Sequence, residues 1–312
     1  MWVVTGGAGF IGSNLVRALN ARGLDDIVVI DDLSDGHKFA NLVDCRISDF
    51  LDVDEGLGAL PALRPDGIFH QGACAVTTEW DGRYMMARNY RYSVDLLDYT
   101  QSRDIPLIYA SSAAVYGAST RFNESEPSVE RPLNVYGYSK LLFDQHVRRR
   151  LESATAQIAG MRYFNVYGPG EAHKGPMASV VLHFSRQLQD SGVVRLFQGS
   201  GGYEDGEQRR DFVYVDDVVA INLWLMEHPQ ISGVFNVGTG SAASFNALAQ
   251  AVIDWHGKGR IEYIPFPEGL EASYQSFTEA DMSALRAVGC DVRFADIRAG
   301  VAAYLDAVHG CP

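Results

Sequence analysis

Several features that define protein classes are scarce here. Cysteine is sparse: Cys45, Cys74, Cys290 and Cys311 form no CxxC pair and have no paired histidines nearby. That spacing argues against a disulfide frame or a zinc site and predicts reduced thiols in a reducing compartment. Positive charge is also short, with 26 Lys and Arg against 39 Asp and Glu and a net charge of −13. Nucleic-acid binding needs a clustered basic face. The nearest approach to one, Arg148-Arg149-Arg150, is expected to be a solvated helix face, so no nucleic-acid partner is predicted. No apolar run reaches the roughly 18 residues that span a bilayer, and no leader is expected ahead of the first strand. The expectation is a cytoplasmic protein with no membrane partner. Internal repeats and low-complexity tracts are missing too.

What is present is alternation. "WVVTGG", "DIVVIDD", "GIFHQGA" and "PLIYASS" read as buried strands, with "GSNLVRALNARG" as a helix between the first two. Strands separated by helices predict an α/β fold, a Rossmann-type doubly wound parallel sheet with helices on both faces. After about residue 165 the rhythm gives way to long polar loops, although "RDFVYVDDVVAINLWLME" and "GVFNVGTG" return to it. The expected organisation is a nucleotide domain of residues 1–165 plus about 211–238. An interleaved, smaller α/β substrate domain is expected from about 166–210 and 239–312.

"TGGAGFIGSN" sets Gly6, Gly9 and Gly12 between the first strand and the first helix. Glycines there allow a tight turn and close backbone approach to a pyrophosphate, which then meets the free N–H groups of the helix N-terminus. Asp31, after the second strand, stands where a carboxylate would take the adenosine ribose. Asp32 would repel a 2′-phosphate and favour NAD, whereas Lys38 would pair with one and favour NADP. "HQGACA" (70–75) would line the nicotinamide side.

"NVYGYSKLLFDQ" carries Tyr136 and Lys140 four residues apart, on one face of a helix and roughly 5–6 Å apart at Cβ. A lysine ammonium beside a phenol favours the phenolate, so Tyr136 is expected to have a lowered pKa and to act as a general base on an alcohol. Ser112, just past a strand end, can hydrogen-bond the reacting oxygen. Ala113 and Ala114 follow it, so no acid is present there to protonate a leaving hydroxyl.

With TGGAGFIG, Ser112 and Tyr136-x-x-x-Lys140 in this order, the chain resembles the extended short-chain dehydrogenases/reductases. Within them it is similar to the ADP-heptose 6-epimerases, through "LVD" (42–44), "TTEWDGRYMM" (77–86), "RYFNVYGPGEAHKGPMASV", "RRDFVYV" and "YQSFT". The likeness covers essentially the whole chain. It implies a tightly held cofactor, usually NADP, with NAD possible. It also implies an ADP-heptose substrate whose C6″ alcohol is oxidised to an aldehyde, turned over and reduced on its other face, in lipopolysaccharide precursor synthesis. A homo-oligomer, commonly a pentamer, is implied as well.

The resemblance assigns catalysis to Tyr136 and Lys174, one for each orientation of the aldehyde, assisted by Lys140 and Ser112. The small domain is expected to hold Lys174 over the cofactor. Cofactor contacts fall on Gly6, Gly9, Phe10, Ile11, Gly12, Asp31, Asp32, Lys38, Gln71, Gly72, Ala73, Cys74, Ala75, Arg88, Lys140, Val166 and Lys174. Substrate contacts fall on Asn165, Pro176, His183, Phe197, Gln198, Gly199, Ser200, Arg210 and Tyr274, with Arg210 gripping the diphosphate. No metal site is expected. The chain departs from the pattern at Asp32 (usually asparagine), Val53 (lysine), Arg88 (asparagine), Pro176 (serine) and in a longer 201–208 loop. Epimerisation at the 4-position of another nucleotide sugar, net reduction, and cofactor binding without chemistry are the competing readings.

Overall fold

A computed structural model describes residues 1–267 and 274–310, so Cys311 lies outside the described residues. The strands β1 (Trp2–Thr5), β2 (Ile27–Asp31), β3 (Asp49–Asp52), β4 (Gly67–His70), β5 (Leu107–Ser112) and β6 (Ile158–Tyr163) alternate with helices. These are α1 (Phe10–Ala21), α2 (Val53–Leu63), α3 (Gly82–Met85), α4 (Tyr92–Gln101) and α5 (Val135–Arg150), with a wide π-helical turn, Met86–Arg91, joining α3 to α4. Beyond β6 come β7 (Asn165–Tyr167), α6 (Val180–Ser191), β8 (Val193–Phe197), β9 (Arg209–Arg210), β10 (Phe212–Tyr214) and α7 (Val215–Glu227). The chain ends with β11 (Gly233–Val237), β12 (Ala243–Ser244), α8 (Phe245–His256), β13 (Arg260–Ile264), α9 (Ser283–Ala287) and α10 (Ile297–His309).

Seven strands form one parallel sheet in the order β11-β6-β5-β4-β1-β2-β3. The Rossmann-type, doubly wound expectation holds. The chain winds outward from β1 through β2 and β3, then returns to β4 and winds the other way. That reversal opens a crevice at the carboxyl ends of β1 and β4. Thr5 pairs with His70 at the last step of the two strands, so the loops that follow them start side by side.

Neighbouring residues of a strand face opposite ways, and the core divides accordingly. Val4, Val29, Phe69 and Ile108 pack with α1 and α7, whereas Val3, Ile68, Leu107 and Tyr109 pack with α4 and α5. The first of these cores runs on without a break into α6, β8, α8 and α10. The short sheets β7–β10, β9–β12 and β8–β13 are separate from the seven-stranded sheet, and β7, β8, β9 and β10 share one cavity with the carboxyl end of β5.

One expectation about α5 changes. Arg149 and Arg150 are exposed, but Arg148 is not a solvated charge. It donates to both carboxylate oxygens of Glu130, at 3.0 and 2.6 Å, and to the Glu124 carbonyl. Glu130 also meets Arg162 at 2.5 Å, and Arg162 reaches Asp144 at 2.8 Å. Arg162 and Asp144 are both 0% exposed. This buried network clamps α5 to β6 from behind. A helical spacing pattern does not distinguish a paired arginine from a free one.

Candidate active site

The phosphate loop is built on an unusually close approach. A Cβ on Gly12 would lie 2.1 Å from the Gly6 carbonyl oxygen, so α1 can start this near the loop only with glycine there. α1 also opens on Gly9 with no side-chain cap, unlike α5, α6, α8 and α10, which are capped by Asn134, Ser179, Ser244 and Asp296. Its first-turn N–H groups therefore have no side-chain cap, and Phe10 and Ile11 of that turn line a cavity, where a helix N-terminus favours an anion. The loop after β4 is fixed beneath it. His70 is 2% exposed and shares hydrogen bonds with Thr5 Oγ1 at 2.6 Å and Ser93 Oγ at 2.8 Å. Burial pushes its pKa down to about 3, so it is neutral. Thr5 Oγ1 in turn accepts from the Gly72 N–H.

Two cavities meet at Ala73. The smaller, about 130 Å³, is lined by Gly6, Asp31, Asp32, Lys38, Gly72, Cys74 and Arg88, together with Val53, Tyr84 and Tyr92. Asp31 Oδ2 accepts from the Ala8 N–H at 2.7 Å, and Oδ1 accepts from Lys38 Nζ at 2.6 Å. Lys38 also donates to the Asp32 carbonyl. Asp32 lies below the ordinary carboxylate range, chiefly because the Ser34 N–H donates to it. Arg88 pairs with Asp54 at 2.5 Å. Aspartate and lysine thus stand together where the ribose of a dinucleotide would lie. The tight glycine turn, the uncapped helix and this acid–base pair all fit a nicotinamide dinucleotide.

The larger cavity, about 810 Å³, holds the remaining chemistry. Phe10, Ile11, Gln71, Ala73, Ala75, Ser112, Tyr136, Lys140, Val166 and Lys174 line it. So do Asn165, His183, Phe197, Arg210 and Tyr274. In a chain of net charge −13 its described lining includes Lys140, Lys174, Arg195 and Arg210 and no carboxylate. A few placed cations give this cavity the opposite sign from the molecule as a whole, as an anionic ligand requires.

Tyr136 is placed by α5, whose Asn134 cap accepts from the Gly137 N–H at 2.8 Å. A Cβ on Gly137 would come within 2.6 Å of the Ala114 carbonyl, so this glycine lets α5 press against the turn that follows Ser112. The expected lowering of Tyr136 by its lysine is not what the structure gives. Burial pushes the phenol up, and the neighbouring Ser112 hydroxyl pulls it back. Lys140 instead donates to the Ala110 carbonyl at 2.9 Å, and desolvation takes its pKa down to about 8. Four-residue spacing brings two side chains to one face, but a backbone carbonyl competes for the ammonium.

Lys174 rests with Nζ 5.2 Å from the Phe10 ring centroid, within range of a cation–π contact. Burial lowers its pKa, opposed by Glu171. Its turn is fastened to α1 and to Asn41, on the nucleotide-binding side, through the carbonyls of Pro169 and Gly170. The turn that carries Lys174 is thus tied back to the phosphate loop and its helix.

Arg210 is 8% exposed and stacks over Tyr274 and Phe245 at 5.0 and 5.8 Å. It is not paired with Asp211, whose carboxylate accepts from Thr239, Gly240 and Ala280. Other expected contacts sit elsewhere. Pro176 is exposed, with its carbonyl 3.4 Å from His183 Nε2. Gln198, Gly199 and Ser200 line a separate open depression with Tyr203 and Glu204. Sequence reasoning gave no role to Thr77, Gln187, Arg195, Gln208 and Gln275 of the large cavity. Gln187 could have been found one helical turn after His183, and Thr77 and Gln275 from the stretches "TTEWDGRYMM" and "YQSFT" that contain them; Arg195 and Gln208 carry no such signal.

Residues 2–238 match the NAD dependent epimerase/dehydratase family. The chain is 61% identical, over 321 aligned positions covering 100% of it and 98% of the relative, to an ADP-L-glycero-D-manno-heptose-6-epimerase of Alkalilimnicola ehrlichii. The crystal structure of the Helicobacter pylori ADP-L-glycero-D-manno-heptose-6-epimerase superposes with a TM-score of 0.84 at 33% identity, covering 99% of this chain and 96% of that one. The Thermus thermophilus UDP-glucose 4-epimerase complex with NAD gives 0.81 at 28% identity, covering 100% and 99%. With a family match over residues 2–238 and a relative 61% identical over the full chain, the chain belongs to the NAD-dependent epimerase/dehydratase family.

Proposed function

We propose that the protein inverts C6″ of ADP-D-glycero-D-manno-heptose to give the L-glycero epimer, through an aldehyde, as a step in making a lipopolysaccharide core precursor. The observation that carries this reading is the large cavity whose described lining holds no carboxylate, with Tyr136 and Ser112 among that lining and Lys174 brought in on a separate turn. The 61% identity to an ADP-heptose epimerase supports the choice of sugar.

NAD(P), when bound, would supply reversible hydride transfer; Gly6, Gly9, Gly12, Asp31, Lys38 and Lys140 would hold it. Tyr136 takes the proton from the C6″ hydroxyl in one setting of the sugar, with Ser112 hydrogen-bonding the same oxygen. Lys174 handles the proton in the other setting. Burial makes a neutral amine accessible at lower pH than for a solvated lysine, which suits proton exchange. Arg210 clasps the diphosphate by charge-assisted hydrogen bonds, and the Phe197–Tyr274 aromatic corner, with centroids 6.1 Å apart, flanks it. The cofactor is NADP, with NAD also accepted, since Lys38 and Arg88 bring two cations to a pocket that also holds Asp31 and Asp32.

The large nucleotide domain of 1–165 plus about 211–238, and a substrate domain from the remainder, complete the reading, with a homo-oligomeric assembly in the cytoplasm. Among the described residues no helix is long and apolar enough to cross a membrane. Incubation with ADP-D-glycero-D-manno-heptose, followed by separation of the two C6″ epimers, tests the assignment. A mixture of both epimers is expected. Unchanged substrate, or stoichiometric release of oxidised cofactor, would point to another nucleotide sugar or to a net reductase.

A further inference from the structure

The turn that carries Lys174 is short and irregular, and a polar cluster outside the reacting site holds it. Asn41 Nδ2 donates to the Ala8 carbonyl at 3.0 Å and to the Gly170 carbonyl at 2.9 Å, and lies 3.3 Å from His173 Nδ1. Asn14, 6% exposed, donates to the Phe10 carbonyl at 2.9 Å and the Pro169 carbonyl at 2.7 Å. Each amide therefore bridges the phosphate loop or its helix to the segment entering the Lys174 turn. Arg17 donates to Asn14 Oδ1 at 3.2 Å, which orients that amide, and to the main-chain carbonyl of Asn41 at 2.8 Å, which anchors that residue's backbone. At the far end of the turn, the Glu171 carboxylate accepts from both the N–H and the hydroxyl of Ser179, at 2.6 and 2.5 Å. The turn is stapled to itself at one end and to the phosphate loop at the other.

We infer that Asn41, backed by Asn14 and Arg17, is a positioning residue that locks the Lys174 turn to the phosphate loop, so that the amine keeps one fixed place relative to the bound dinucleotide. This rests on the proton-handling role given to Lys174 above. The alternative, that these amides only stabilise the loop, predicts no selective effect on turnover.

The experiment compares the holoenzyme with Asn41→Ala, the isosteric Asn41→Asp, Lys174→Met and the Asn41→Ala/Lys174→Met double variant. Bound nucleotide is quantified by chromatography after denaturation, and kcat and KM are measured with ADP-D-glycero-D-manno-heptose. Asn41→Asp keeps the shape but replaces a donor with an acceptor facing the Ala8 and Gly170 carbonyls. Both single Asn41 variants should lose about 10- to 100-fold in kcat, since small misplacements of a reacting group cost this much. Their KM should stay within about twofold and the nucleotide should be retained. Because Asn41 acts through Lys174, the double variant should be no slower than Lys174→Met alone. Normal turnover in both Asn41 variants, multiplied losses in the double variant, or loss of nucleotide would overturn the inference. Normal turnover of Lys174→Met would instead sink the role given to Lys174.

Discussion

The two walls of the large cavity are held by different physics. Tyr136 stands on a capped, 16-residue helix pressed onto a sheet and clamped from behind by buried ion pairs. Lys174 stands on a kinked turn of six residues, Ala172–Met177, held by neutral amide-to-carbonyl bonds and one carboxylate staple. The first wall resists distortion because a buried charge stranded by loss of its partner is costly. The second is held by bonds each worth about 1 kcal/mol net, so its place depends on several of them acting together. Two walls fixed by different means leave the sugar terminus as the part that is presented in two settings.

The comparison breaks most directly at Tyr136. Tyr136→Phe should lower kcat by about 10²- to 10⁴-fold with the fold unchanged, as loss of a general acid–base does; steady-state rates and circular dichroism check it. Stability of the rigid wall is tested by Arg162→Met, which strips Asp144 of its cation and leaves Glu130 with Arg148 alone. Unfolding in denaturant should show a loss of about 3–5 kcal/mol, well beyond any single amide removed from the Lys174 turn. Arg210→Ala should raise the KM for the ADP-sugar about ten- to a hundredfold, matching about 1.5–3 kcal/mol for charged hydrogen bonds, with a smaller change in kcat.

Lys140 offers a pH-dependent refinement. Burial depresses its pKa to about 8. Between that value and the ordinary lysine value the unfolded chain holds a proton that the folded chain has released, so stability rises with pH across this window. Below about 8 both states are protonated and the full cost of burying the charge is present. Lys140→Met should therefore be more stable than the parent at pH 7, and the gain should shrink as pH climbs past 8. A series of denaturant titrations reads this. The smallest effect is expected for Lys38→Ala, with a few-fold loss of affinity for NADP and almost none for NAD, measured by equilibrium titration.

Legibility follows the same division. Gly6, Gly12, Tyr136 and Lys140 could be read from spacing, because a strand–turn–helix unit and a helical repeat translate sequence distance directly into space. Lys174 could be placed only through resemblance, since its position depends on Asn14 and Asn41, more than a hundred residues earlier. The pKa of Tyr136 departs from expectation for a related reason. Spacing supplies the lysine, but only the folded chain reveals that its ammonium turns to Ala110. Arg148 teaches the same of charge, because its partner Glu130 comes from an irregular loop. The depression holding Gln198, Gly199 and Ser200 has no sequence signal, as its lining is completed by Asn246 and Tyr263 from far along the chain.

The most direct measurement is the structure of the enzyme with NADP and an ADP-heptose bound. Tyr136 Oη and Lys174 Nζ should each lie about 3 Å from the oxygen on C6″ in one of two settings of the sugar terminus. An Nζ directed into bulk solvent, with the terminal carbon reached by Tyr136 alone, would contradict the account.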